Sequence, residues 1–96
     1  MSTVNDVYRT NDGQGYFEFN FVKVRNLYEV DIVSTPSYGS RSTDLHSTHR
    51  LNSERGGYKI CFGDPSVVTS LDKAMKYVEN WCEGTWQDIK TGRTFG

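Results

Sequence analysis

Cys61, Cys82, His46 and His49 are the side chains of this chain with the widest chemical range. Two thiols and two imidazoles make up the donor set of a structural zinc site. Their spacing opposes that use. No Cys-x₂₋₄-Cys pair is present, and residues three apart on a strand point to opposite faces, which separates His46 from His49. No metal ligands and no cofactor are therefore expected. A thiol beside an imidazole is also the minimum for nucleophilic chemistry, if His⁺, Lys, Arg or a helix N-terminus lowers the thiol pKa. Cys61 is the better candidate, because Lys59 shares its expected strand face and His49 or Arg50 lies within cross-strand reach. Cys82 falls on the apolar stripe of a helix, a place that predicts burial. The carboxylates are scattered, with no pair that stands out as general acid and base. Gly13-Gln-Gly15 is too short for a phosphate loop and precedes a strand instead of following one.

The elements that must carry these residues follow from periodicity. Residues 1–15 are polar, end in the turn-rich Asn11-Asp-Gly-Gln-Gly15, and are read as a loose lead-in to a single domain over 16–96. From Tyr16 to Val24, Phe17, Phe19 and Phe21 alternate with Glu18 and Asn20, which is a strand pattern. Arg25-Asn26 makes a turn into Leu27–Val33, where Tyr28, Val30 and Ile32 share a face. Thr35-Pro36-Ser37-Tyr38-Gly39-Ser40 breaks the pattern. Leu45–Leu51 is expected as a third strand and Tyr58–Phe62 as a fourth, ended by Gly63-Asp64-Pro65. Thr69-Ser-Leu-Asp72 has capping-box spacing, and a helix is expected over Ser70–Thr91 with Gly92 at C′. Leu71, Met75, Val78, Cys82, Thr85 and Ile89 form its apolar stripe, flanked by Ala74 and Trp81 on one side and Trp86 on the other. The expected fold is α+β: a four-stranded, mainly antiparallel meander with one long C-terminal helix across one sheet face.

Composition narrows the function. A chain of 96 residues is one domain, and its 14% aromatic content can supply a core without disulfides or metal. The net charge of −1 disfavours a non-specific nucleic-acid binder. Residues 34–62 are nonetheless mildly basic, with Arg41, Arg50, Arg55 and Lys59 against Asp44 and Glu54. A single-strand nucleic-acid binder on segment 41–59 is thus one alternative. The first ten residues contain no apolar core of a secretory signal, and no apolar run reaches membrane-spanning length, so a cytoplasmic protein with free thiols is expected. Trp, Tyr and Arg are enriched at protein interfaces. Tyr38, Arg41, His46, Arg50, Trp81, Trp86 and Arg93 are accordingly the candidate binding residues. The sheet face not covered by the helix is expected to keep apolar side chains for a partner.

Thr48-His-Arg-Leu-Asn-Ser-Glu-Arg-Gly-Gly-Tyr-Lys-Ile-Cys-Phe62 resembles the segment before the active cysteine of ubiquitin-conjugating enzymes, in which a His-Pro-Asn turn leads through glycine to Ile-Cys. The strand and the Pro36-Tyr38 pair upstream are similar to that family's meander. The chain departs from the pattern by lacking the proline after His49, by placing Asn52 one position late, by a longer His-to-Cys spacing, and by having no N-terminal helix. The resemblance implies a shortened relative with Cys61 at the thioester position and Asn52 near the oxyanion-stabilising one. Size, scattered polar groups and many aromatics instead favour a non-enzymatic interaction domain, an adaptor or inhibitor, whose partner is another protein or a second copy. The Cys61 carrier is the alternative.

Overall fold

Alternate side chains of a strand share a face, and this stacks Phe17, Phe19 and Phe21 along β2 (Tyr16–Val24). All three are buried in the computed structural model, which describes residues 3–92. β2 pairs antiparallel with β3 (Leu27–Ser34), so that Phe19 faces Ile32 and Phe21 faces Val30. The connecting turn places Arg25 at φ 59°. This register corrects one expectation. The phenylalanines and the Tyr28, Val30, Ile32 set lie on the same face, so neither is left over for a partner.

Two further expectations change. Thr3–Arg9 is not a loose lead-in but β1, paired with β2 along its whole length. Val4, Asp6 and Tyr8 lie beside the phenylalanines, yet their mixed polarity hides the strand period. The expected strand Leu45–Leu51 is divided: Leu45–Thr48 is a single helical turn, α1, and only Arg50–Asn52 is strand, β4. Local bonds decide this. Asp44 accepts from the backbone N–H of Ser47 at 2.8 Å and from the Ser42 and Ser47 hydroxyls, which caps a turn in preference to a ladder. The Ser42 hydroxyl, with both Ser47 donors, holds the Asp44 carboxyl down to about 2. β5 (Tyr58–Ile60) then pairs with both β3 and β4, giving five strands in the order β1-β2-β3-β5-β4.

A 3₁₀ turn at Pro65–Val67 leads to α2, Leu71–Thr91. Its N-cap is Ser70, whose hydroxyl accepts from Lys73 N–H at 3.2 Å, one residue beyond the expected Thr69. Gly92 ends the helix at φ 74° and donates to Asp88 C=O. The buried line is Ala74, Val78, Trp81, Cys82, Thr85 and Asp88. The helix is therefore turned toward its Trp81 side, and Leu71, Met75 and Ile89 are only half-buried. Trp81, expected at the rim, is 4% exposed, because it stands edge-on to Phe17 and Phe19 at 5.9 and 6.0 Å. No helix among the described residues is long and apolar enough to cross a membrane.

The far sheet face is polar at its centre, where Asn5, Asn20, Asp31 and Lys59 lie in one row across four strands. Arg55 bonds both Asp31 and Glu29 at 2.6 Å, and Lys59 reaches Glu29 and Glu54. Burial works against the charge of Asp31, but bonds from Arg55 and Ser53 outweigh it and leave its pKa lowered. At one end of the sheet, Asp12 ties the β1–β2 turn to α2. Its carboxylate accepts from Trp86 Nε1 (2.8 Å), Lys90 Nζ (2.9 Å), Thr10 Oγ1 (2.7 Å) and Gln14 N–H (2.9 Å).

The Trp86 bond, followed by those from Gln14, Thr10 and Lys90, holds the Asp12 carboxyl well below the usual range. A depressed folded-state pKa adds stability that is fully present above the unfolded value of roughly 4 and is lost as pH falls toward the folded one. Asp12→Asn is expected to flatten that acid limb. Urea midpoints of both proteins between about pH 5 and pH 2 read the difference, and parallel acid limbs would contradict the clamp.

Candidate functional site

β5 runs directly into Cys61, whose backbone N–H donates to His49 C=O at 2.9 Å, one step beyond the Arg50–Ile60 pair. His49 adopts φ 53° at the end of α1, where the chain turns into β4. The carbonyls of Thr48 and His49 both accept from Trp81 Nε1 at 3.2 Å. The corner that holds Cys61 and His49 thus rests on the same indole that fills the core.

Three hollows meet at this corner. A cleft of about 200 Å³ is lined by His49, Cys61, Phe62, Tyr77, Asn80 and Trp81. One of about 160 Å³ lies on the other side of Cys61, bounded by Tyr28, Leu51, Lys59, Phe62 and Pro65. A third of about 360 Å³ adjoins Tyr77 and Asn80 and is lined by Val67, Lys73 and Lys76. Cys61 and Phe62 are shared by the first two and Tyr77 and Asn80 by the first and third, which joins them into one groove that starts on the far face at Leu51 and Lys59 and rounds the end of β5 to α2. Phe62 and Tyr77 meet edge-on at 5.4 Å in its middle. Leu51 and Tyr77 are 44% and 38% exposed, and Val67 is exposed beside them. Lys59, Lys73 and Lys76 line the groove against a single carboxylate, Glu29, which Arg55 and Lys59 already engage. Burial opposes the charge of Lys59, but Glu54 and Glu29 more than offset it and raise its pKa.

Among the residues anticipated from sequence, His46, His49, Arg50 and Cys61 line a further hollow beside this groove. Asn52 does not join them. It sits opposite Tyr58, while Cys61 is joined to His49. Asn80 of α2 is the asparagine that shares a wall with Cys61 and His49. Cys82 is fully buried, and that burial pushes its thiol pKa well above the ordinary range. Among the described residues, no three or more His, Cys, Asp or Glu side chains gather in a group able to hold a metal ion.

The other binding candidates among the described residues are held by contacts within the fold. Tyr38 and Arg50, both candidate binding residues, are each only 9% exposed. The Arg50 guanidinium lies over the rings of Tyr58 (4.3 Å) and Tyr38 (5.2 Å), and donates to Thr48 Oγ1 and Thr43 C=O. Arg41 donates to the carbonyls of Ile89 and Lys90 at the end of α2. Trp81 is in the core, Trp86 is bound to Asp12, and Arg93 lies outside the described residues. Every cation of segment 41–59 is engaged: Arg41 with carbonyls, Arg50 between rings, and Arg55 and Lys59 with carboxylates. Sequence reasoning missed Leu51, Phe62, Tyr77, Asn80, Lys73 and Lys76 as a group. Each is unremarkable alone, and only the strand order brings β4 and β5 against this flank of α2.

Arg50→Lys keeps the charge but loses the planar stack and the paired donors, so a loss of about 1–2 kcal/mol is expected. A urea midpoint equal to that of the native chain would refute the role given to the stack. In comparisons with protein-family models, with curated proteins and with solved structures, none matches this chain.

Proposed function

We propose that this chain is a non-enzymatic protein-interaction domain, an adaptor or inhibitor, that holds its partner in the groove from Leu51 past Cys61 and Phe62 to Tyr77 and Val67. The observation that carries the reading is the set of joined hollows around Cys61, Phe62 and Tyr77, with Leu51, Val67 and Tyr77 exposed at their walls. Val7, Tyr16 and Val33 are exposed on the far sheet face, but its middle is polar and ion-paired. Grouped exposed apolar surface of this kind marks binding sites in soluble proteins. The lysines at its edge fit an acidic partner segment with aromatic or aliphatic anchors. Cys61 and Cys82 are both free thiols, which fits a reducing, cytoplasmic setting.

A second reading, a cysteine-dependent carrier of the ubiquitin-conjugating type, draws on the Cys61–His49 juxtaposition with Asn80 on the same cleft. The two readings separate on thiol chemistry. A carrier requires an activated thiolate. In the folded interaction domain, Cys61 reacts with maleimide no faster than a model thiol, and Cys82 reacts only on unfolding.

Cys61 also reports on occupancy. Extract of the native host is expected to protect Cys61 from maleimide, and Leu51→Asp or Tyr77→Asp to abolish that protection. Leu51→Asp should leave stability within about 0.5 kcal/mol and Tyr77→Asp should cost about 0.5–1.5 kcal/mol through the lost Phe62 contact, while each costs about 2 kcal/mol or more of binding, as for interface anchors. Protection that survives both substitutions would place the partner elsewhere.

A further inference from the structure

β1 is an edge strand over its full length, and backbone parity decides which of its polar groups stay open. Thr10 N–H donates to Gly15 C=O at 2.9 Å, one step beyond Arg9 opposite Tyr16 in the β1–β2 register. In an antiparallel ladder, hydrogen-bonded pairs alternate with non-bonded ones. Val4, Asp6 and Tyr8 therefore turn their N–H and C=O toward β2, and Thr3, Asn5, Val7 and Arg9 turn theirs outward. The Val7 amide agrees with this assignment, for it donates sideways to Asp6 Oδ1 at 2.8 Å.

Soluble proteins blunt sheet edges with short strands, lysine, proline, bulges or a covering segment. The opposite edge follows that rule, since β4 is three residues long and continues directly from α1. β1 does not. It contains no lysine or proline, its pairing with β2 has no register shift, and Val7 is 47% exposed. The Asp6 carboxylate is the guard it carries.

We propose that β1 pairs antiparallel with β1 of a second copy, about a two-fold axis at Val7. Such an axis, normal to the sheet, sets residues of like parity opposite one another. At Val7 it places Val7 against Val7, Asn5 against Arg9 and Asp6 against Tyr8, and it joins the outward groups of Asn5, Val7 and Arg9 reciprocally. An axis at Asp6 would oppose two carboxylates, which is destabilising. An axis at Asn5 would set Asp6 against Val4 and Val7 against Thr3, and so would bring no exposed valine against its copy. The chosen register buries the exposed valine against its copy and makes one continuous sheet with both α2 helices on the same side. The groove lies at the other end of the strand order and stays open, so this inference is independent of the function proposed above.

Analytical ultracentrifugation over a concentration series tests it. The native chain is expected to show a concentration-dependent dimer. Val7→Pro removes an outward N–H that β2 does not use, so it is expected to yield a monomer with unchanged far-UV circular dichroism. Val7→Lys opposes two cations and is expected to do the same, which keeps the test decisive if proline unfolds the strand. Asp6→Ala removes the acceptor competing for the Val7 amide in each copy and is expected to tighten the dimer about 5- to 100-fold, the worth of two typical hydrogen bonds. A native chain that remains monomeric up to about 1 mM, or a dimer that persists in Val7→Lys, overturns the proposal.

Discussion

The Trp81 indole packs edge-on against Phe17 and Phe19, while its N–H spans the carbonyls of Thr48 and His49. Both halves are needed. A buried aromatic removes roughly 150–250 Å² from water, but an indole N–H left unpaired in the core would cost about 1–3 kcal/mol. Satisfying it requires α1 and the first residue after it to come up against α2. That requirement pins the end of β4 and, through the Cys61–His49 bond, the end of β5. Core closure and groove geometry are thus set by one side chain.

Charge is then distributed around this apolar centre. Arg50 is buried, and among the described residues no carboxylate forms a salt bridge with it. It instead lies over two tyrosine rings and donates to a hydroxyl and a carbonyl, which a planar, weakly hydrated guanidinium tolerates better than an ammonium does. Asp12 binds the indole N–H of Trp86 and the ammonium of Lys90, so the turn after β1 holds the C-terminal half of α2. The Arg55, Lys59, Glu29 and Asp31 network keeps the middle of the far face hydrated and ion-paired. Exposed pairs of this kind are worth little in stability, and they leave the middle of this face without an apolar contact surface. One margin holds the groove, and the other holds β1.

Local order was legible in the chain. The Phe17, Phe19, Phe21 alternation and its partner in Tyr28, Val30, Ile32 specify the β2–β3 hairpin, because strand periodicity is a nearest-neighbour property. The α2 stripe, its start near Ser70 and its end at Gly92 were equally readable, since caps and amphipathic spacing act within a few residues. His49 and Cys61, placed within cross-strand reach by the sequence, are joined backbone to backbone at one corner, and Asn52 stands apart from it.

What tertiary structure alone decided depends on contacts between distant segments. β1 has too few apolar residues to announce itself and forms because β2 offers an unpaired edge. β4 is cut short because Asp44 caps a helical turn in what reads as a strand. β5 enters between β3 and β4, and that order, not any motif, carries His49 and Cys61 to Tyr77 and Asn80. The rotation of roughly 45°, at 100° per residue, that buries Trp81 in place of Ile89 follows from the aromatic site beneath it. Local spacing along the chain determined which segments are strand or helix; their order and rotation arose only when one indole needed both an apolar bed and two carbonyls.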